Sequence, residues 1–146
     1  MNGAGARAAA GAALLAVLGC GSADGDAELA PRDARYRAVF DSVSSEALEL
    51  RFEPREGWHI EPEAVAHLSL AAPEGFAVEP AEQDSERALE HREEGLVFGL
   101  SLRRLASGSE SEAPLRGSVK FGVCRDDASI CEIVRRDLEL LAPADS

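Results

Sequence analysis

The sequence lacks internal repeats, a glycine-rich phosphate-binding loop and any serine motif typical of a catalytic nucleophile. These absences argue against a repeat protein, a nucleotide-binding enzyme and a serine hydrolase. No segment has helical periodicity long enough for a core helix. After residue 19 there is also no long apolar run, so a permanent membrane-spanning helix is not expected.

Positive charge is scarce as well. The chain has 15 Lys and Arg against 27 Asp and Glu, a formal net charge of −12 that becomes −13 when Arg7 is removed with the leader. Nucleic acid and anionic lipid headgroups are therefore not expected as partners. The simplest interpretation of the acidity is solubility.

The N-terminus has the pattern of an export signal. Arg7 is followed by an apolar run at residues 8–18, which is too short to span a bilayer permanently. The sequence VLGC, ending at Cys20, resembles the bacterial lipobox, in which the cysteine is lipidated. We therefore expect a lipoprotein signal peptide at residues 1–19, a flexible tether at 20–35 and a lipid on Cys20 as the sole membrane contact. The alternative is a secretory peptide cut elsewhere, which leaves Cys20 free.

The remainder of the chain predicts β structure. Leu96, Phe98, Leu100 and Leu102 alternate with smaller or polar residues, and similar short alternations recur between turn signals. About seven or more strands indicate an all-β, immunoglobulin-like antiparallel β-sandwich at residues 36–141, with a small barrel as the alternative. The polar stretch at 81–94 is expected to be a surface loop or one helical turn. Residues 107–114 are expected to form a loop, and 142–146 a frayed tail.

Two cysteines stand at the ends of the last predicted hairpin. Val119, Phe121 and Val123 define the buried face of one strand, which places Cys124 on the opposite, polar face. Cys131 follows six residues of loop and shares the outward parity of its own strand. Antiparallel pairing around this loop would bring the two sulfurs within disulfide reach on an exposed tip.

Three interpretations of Cys124 and Cys131 stay open on the residues alone. A structural disulfide closing this short loop would stabilise the fold by about 2 to 3 kcal/mol. A redox pair would exchange disulfides with a partner protein, which requires an accessible sulfur. A metal site would need histidine ligands, but no spacing resembles a zinc or copper signature, so neither a metal nor any other cofactor is predicted. The histidines considered are His59, His67 and His91.

Three cations close to the cysteines are candidates for docking a partner. They are Lys120, Arg125 and Arg135. Arg125, next to Cys124, would also favour its thiolate, whereas the neighbouring acids oppose it. The alternative is that all three are ordinary solvated charges.

Two segments carry a family resemblance. REGWHIEP at residues 55–62 and LRGSVKFGVCRDDASICEIV at 115–134 resemble the disulfide bond corrector domain family, which includes the N-terminal periplasmic domain of the thiol:disulfide interchange protein DsbD. The resemblance covers residues 36–141. It implies an immunoglobulin-like sandwich in which Cys124 and Cys131 pass reducing equivalents to or from thioredoxin-like or other envelope thiol-disulfide proteins. The family's transmembrane conduit and thioredoxin-like domain are not in this sequence, so the expected electron donor is a separate protein.

The resemblance also concerns the loop that shields the two cysteines. Family members shield it with a loop that contains an aromatic residue, but the corresponding residues 85–94 contain none. The sequence thus predicts an exchange module in the bacterial cell envelope, lipid-anchored and facing the periplasm. The alternative is a non-catalytic binding or scaffolding lipoprotein with a structural disulfide.

Overall fold

A computed structural model describes residues 28–44, 46–105 and 114–141 of the chain. The predicted signal peptide, the lipidated Cys20, the first part of the tether, almost all of the loop at 107–114 and the tail at 142–146 lie outside the described residues.

The described residues form ten strands and no helix. In chain order the strands are β1 (Tyr36–Ser42), β2 (Ala47–Pro54), β3 (Trp58–Ile60), β4 (His67–Ala71), β5 (Phe76–Glu79), β6 (Glu82–Asp84), β7 (Glu90–Arg92), β8 (Gly95–Arg104), β9 (Leu115–Arg125) and β10 (Cys131–Leu140). Within these ranges no helix is long and apolar enough to cross a bilayer.

The strands build two antiparallel sheets that pack face to face as an immunoglobulin-like β-sandwich, as predicted. One sheet has the order β1-β2-β8-β5, with β7 also paired to β8. The other has the order β10-β9-β4-β6, with β3 also paired to β9. Consequently β3 and β4 share one side of β9, and the residues between them must leave the sheet.

Alternating apolar side chains from both sheets form the core. Its centre is an aromatic cluster in which the ring of Phe121 lies 4.7 Å from that of Phe52 and 5.2 Å from that of Tyr36, centroid to centroid. All three side chains are buried. Since tilted and edge-to-face rings add to the burial of apolar area, this cluster fixes β9 against the opposite sheet.

The polar stretch at 81–94 differs from its prediction. It contains two three-residue strands, β6 and β7, each paired to the edge of a longer strand. Gln83 is buried in β6 and donates from Nε2 to the carbonyl of Gly99 at 2.9 Å. Backbone pairing to a neighbouring strand, and not hydrophobic alternation, makes these segments extended.

Residues 28–35, expected to belong to the tether, contact the sandwich. The amide of Leu29 donates to the carbonyl of Ala38 at 2.8 Å, and Arg55 pairs with Glu28. Arg35 bridges to Glu132 of β10 at 2.7 Å. This segment therefore joins the edges of the two sheets near the cysteine hairpin.

Candidate functional site

The last two strands bring the two cysteines together. Cys124 and Cys131 are directly opposite in the β9–β10 ladder and form a disulfide, with their Cα atoms 4.0 Å apart. The same register opposes Phe121 to Val134, both of which face the core. The predicted pairing of the strands and of the cysteines is therefore present, with both cysteines on the outer face of the sheet.

The loop between the cysteines is a tight turn. The amide of Arg125 donates to the carbonyl of Ile130 at 2.9 Å, and Ala128 takes a positive φ of 62°. Asp127 accepts hydrogen bonds from the amide and hydroxyl of Ser129, which hold the pKa of this carboxyl below its usual range. The Asp126 amide donates to the carbonyl of Gly57, which ties the loop to the turn before β3.

Residues 61–66 form a cover over the outer face of β9; we call them the cover segment. After β3 pairs with the end of β9, this segment leaves the sheet and returns as β4. Its first amide, that of Glu61, donates to the Gly122 carbonyl at 2.8 Å. A side chain at Gly122 would not fit, because its Cβ would lie 2.8 Å from the Cβ of Ala64 and 3.3 Å from that of Glu61. Glycine at this position permits the close approach.

The cover makes the two cysteines unequal. Cys124 is 2% exposed, whereas Cys131 is exposed. The alternation of buried and polar residues predicted the correct face of the sheet for Cys124, but the prediction that Cys124 would be exposed on that face was wrong. The reason is a segment more than fifty residues away in the chain, which packs over the outer face at Gly122. Only one half of the disulfide is open to solvent.

Two polar side chains stand beside the buried sulfur. Oε1 of Glu61 lies 3.6 Å from Sγ of Cys124. His59 is the β3 residue directly opposite Cys124, and its Nδ1 lies 3.0 Å from Oδ1 of Asp126. Ligand atoms of His59, Glu61 and Cys124 lie within 4.8 Å of one another. A thiol formed at Cys124 therefore has a carboxylate and an imidazole within reach as proton acceptors.

Two of the three predicted docking cations lie together. Lys120 and Arg135 are directly opposite one another on the same outer face as the disulfide, and one row of residues, Gly122 and Ile133, separates them from it. Both line a shallow groove shared with His67. The side chain of Ile133 is 50% exposed, so the surface next to Cys131 is partly apolar.

The third docking candidate, Arg125, lies elsewhere. Its guanidinium stands 5.4 Å from the centre of the Trp58 ring, a cation–π contact. It is exposed but belongs to the end of the hairpin, on the far side of the disulfide from Lys120 and Arg135.

Sequence reasoning missed Glu61 as part of the site, and it considered His59 only as one of three histidines for a metal site that was not predicted. One local signal existed, because β3 places His59 outward between the inward-facing Ile60 and the half-buried Trp58. The pairing of His59 with Cys124 spans 65 positions, and nothing in either segment specifies that register.

Comparisons with known proteins leave the family open. No protein-family model matches the chain, and no curated protein matches it. Among solved structures, the GAE domain of yeast GGA1 is similar at 11% sequence identity with a TM-score of 0.36, over 77% of this chain and 96% of that domain.

Proposed function

We propose that this protein is a thiol-disulfide exchange module of the bacterial cell envelope that acts through Cys124 and Cys131. The observation that carries the proposal is the asymmetry of the disulfide: an exposed Cys131 at a hairpin tip is bonded to a covered Cys124. An attacking thiolate must approach a sulfur along the axis of the bond, so accessibility of one sulfur is the first requirement of exchange.

The asymmetry also supports an order of events. A partner thiolate attacks Sγ of Cys131, the S–S bond breaks, and Cys124 leaves as a thiolate that takes a proton. A second thiolate of the partner then attacks the mixed disulfide, which frees Cys131 and leaves the partner oxidised. Two electrons and two protons pass to this protein. In the reverse direction Cys131 attacks a substrate disulfide and Cys124 resolves it.

The surface around Cys131 suits a transient protein partner. Ile130 and Ile133 supply partly exposed apolar contacts, and Lys120 with Arg135 supplies positive charge on the same face. Since the chain is acidic overall, this local positive pair would orient a partner that carries acidic residues beside its own cysteines. A thioredoxin-like dithiol protein is the proposed class of partner.

Trapping of mixed disulfides tests the order of attack. Cys124→Ser keeps the exposed Cys131 thiol but removes its resolving partner, so this variant should accumulate a mixed disulfide with a thioredoxin-like protein. Cys131→Ser, which keeps only the covered thiol, should trap at least about tenfold less if covering the sulfur costs 1.4 kcal/mol or more. Equal trapping by the two variants, or trapping only by Cys131→Ser, would contradict the proposed order.

Charge reversal tests the docking surface. The double variant Lys120→Glu/Arg135→Glu should slow association with the partner most strongly at low salt, because these charges act mainly on the association rate. Arg103→Glu, on the other sheet, is the matched control and should leave the rate unchanged. If the two variants behave alike, the partner does not use this face.

A structural disulfide in a scaffolding protein is the second candidate, and the burial of Cys124 favours it. The reduction potential of the pair separates the two functions. A potential below about −300 mV without any trapped partner supports the structural role, and a higher potential with a trapped partner supports exchange.

The proposed location depends on the N-terminal sequence. An apolar run that ends in VLGC supports export and lipidation of Cys20, and hence an anchored domain facing the periplasm. Cys20→Ala should release the protein from membranes. Continued labelling of that variant with a fatty acid would show that Cys20 is not the lipidated residue.

A further inference from the structure

The reduced protein has the components of a metal site that the oxidised protein lacks. His59, Cys124 and Cys131 occupy one row across three neighbouring strands, since His59 and Cys131 each lie directly opposite Cys124 in its two ladders. Glu61, at the start of the cover segment, places a carboxylate oxygen 3.6 Å from Sγ of Cys124. The Cys124 sulfur, the His59 imidazole and the Glu61 carboxylate therefore lie together, and the Cys131 sulfur, from β10, lies next to that of Cys124.

Three of the four ligand atoms lie close to the separations of a tetrahedral centre. Around zinc, with bonds of about 2.0 to 2.3 Å, neighbouring ligand atoms are about 3.3 to 3.8 Å apart. The Cys124 sulfur and the Glu61 oxygen already have this separation, and the ligand atoms of His59, Glu61 and Cys124 all lie within 4.8 Å of one another. Closing the largest gap among these three atoms requires a movement of about 1 Å, which side-chain rotation can supply. After reduction the Cys131 side chain must also rotate toward them. The β ladder keeps the Cα atoms of the cysteines 4.0 Å apart and so holds the second sulfur beside the first.

The chemistry of these ligands selects the ion. We infer that, once the disulfide is reduced, Cys124, Cys131, His59 and Glu61 bind one divalent zinc-class cation. Two thiolates with one imidazole favour a borderline-soft ion, and the carboxylate supplies a fourth, hard ligand. A disulfide sulfur is not a thiolate, so the site exists only in the reduced protein.

Asp126 completes the arrangement as a positioning residue. Its Oδ1 lies 3.0 Å from Nδ1 of His59, and with the ring proton on Nδ1 the lone pair for a metal is on Nε2. A carboxylate bonded to the second ring nitrogen of a metal-binding histidine fixes both the tautomer and the orientation of the ring. The backbone of Asp126 is itself held by the Gly57 carbonyl, so this partner is fixed in place before a metal arrives.

The electron and proton balance is simple. A dithiol donor gives two electrons to the S–S bond and becomes a disulfide, while two protons produce the Cys124 and Cys131 thiols. The cation then binds both thiolates and releases those two protons to solvent. The inference shares one premise with the proposed function, that the bond can be reduced, and it does not require that the donor be a protein.

Cobalt spectroscopy on the full chain tests the site. The protein is reduced with a phosphine, which becomes its oxide, and is then separated from the reductant without air and titrated with Co²⁺. We expect one cobalt ion per chain, with the ligand-field bands of a tetrahedral centre and a thiolate-to-cobalt charge-transfer band. Excess Zn²⁺ should abolish these bands. The unreduced protein should show neither band, and identical spectra before and after reduction would overturn the inference.

Variants separate this site from a simple pair of thiols. His59→Gln should weaken Zn²⁺ affinity by more than the roughly 10- to 100-fold expected for Asp126→Asn, because a direct ligand contributes more than the residue that orients it. Matched controls are His67→Gln on the same sheet and Glu63→Gln on the cover segment, and both should bind as the unaltered protein does. Far-UV circular dichroism verifies that each reduced variant is folded. Wild-type affinity and spectra in His59→Gln would overturn the proposed ligand set.

Zinc binding by the reduced protein can be tested independently of disulfide exchange with a partner protein. Because the phosphine reduces the bond without a protein donor, zinc binding in the absence of any trapped partner would reject the proposed function alone. Exchange with a dithiol protein, accompanied by no metal binding in the reduced state, would reject this inference alone.

Discussion

The cover segment makes the reactivity of the disulfide sensitive to a single methyl group at Gly122. In Gly122→Ala the new Cβ would lie 2.8 Å from the Cβ of Ala64, where about 3.4 Å is the lower limit of ordinary contact. The segment must then move outward. Overpacking of this kind costs about 1 to 3 kcal/mol, and the lower entropy of the unfolded chain returns about 0.4 to 1 kcal/mol. We therefore expect a net loss of about 1 kcal/mol in the free energy of unfolding, and of at most about 2.6 kcal/mol.

Displacement of the cover should also expose Cys124. Reduction of the native disulfide by dithiothreitol should accelerate by about twofold, since a second sulfur becomes open to attack in addition to the exposed Cys131. The matched control is Gly95→Ala, whose Cβ would meet its nearest neighbours at 3.7 Å. This control should be neutral or slightly stabilising and should not change the reduction rate.

A second substitution tests whether contact with Ala64 causes the effect of Gly122→Ala. Ala64→Gly removes the atom that the new methyl group contacts, so the double variant Gly122→Ala/Ala64→Gly should recover part of the stability and the slow reduction. Residues in direct contact have coupling energies of about 0.5 to 3 kcal/mol in double-mutant cycles. If Gly122→Ala matches Gly95→Ala in both urea unfolding and reduction rate, or if the cycle shows no coupling, the cover does not pack on Gly122 as described.

Two further predictions concern the fold. The Arg35 hydrogen bond lowers the pKa of Asp33 below its unfolded value of 3.8. The stabilisation is therefore fully present above that pH and is lost as pH falls through the lowered folded-state pKa. Urea titrations should find Asp33→Asn less stable at pH 7 by up to about 1 kcal/mol, and the difference should shrink as the pH is lowered below 3.8. Phe121→Ala should cost about 3 to 5 kcal/mol, and Phe76→Ala, which removes a half-buried ring, less than half of that. A pH-independent deficit, or equal losses for the two phenylalanines, would contradict these assignments.

Local patterns were enough to predict the strands that make the core. In β8 and β9 the alternating apolar residues of the sequence are the residues that face the core. Because Phe121 faces inward, Cys124, three residues later, was predicted to lie on the outer face without knowledge of the partner strands. A short loop between two strands also restricts their register, which is why the opposition of Cys124 to Cys131 followed from six intervening residues.

Long-range contacts account for what the sequence did not predict. The strands β6 and β7 are three residues long and owe their extended backbone to the neighbouring strands β4 and β8, so no period within them could identify them. Cys124 is buried because residues 61–66 pack over the outer face of β9. The absence of a side chain at Gly122 allows this close approach, but a glycine alone does not indicate that any segment packs there. A glycine between Phe121 and Val123 was equally compatible with an open surface.

Disulfide exchange and metal binding would use the same two sulfurs, so each would affect the other. Exchange requires a free Cys131 thiolate, whereas the metal site occupies both thiolates and the nearby imidazole. A bound zinc ion must therefore inhibit transfer of electrons to a substrate disulfide, and oxidation of the pair must release the ion. By linkage, a cation that binds only the reduced protein also raises the reduction potential of the pair, and the shift grows with the logarithm of the ratio of its concentration to the dissociation constant. Measuring that potential with and without Zn²⁺ in the unaltered protein and in His59→Gln should give a shift in the first that is much smaller in the second. Equal shifts in the two proteins would mean that the metal contacts the cysteines alone and that His59 has no part in it.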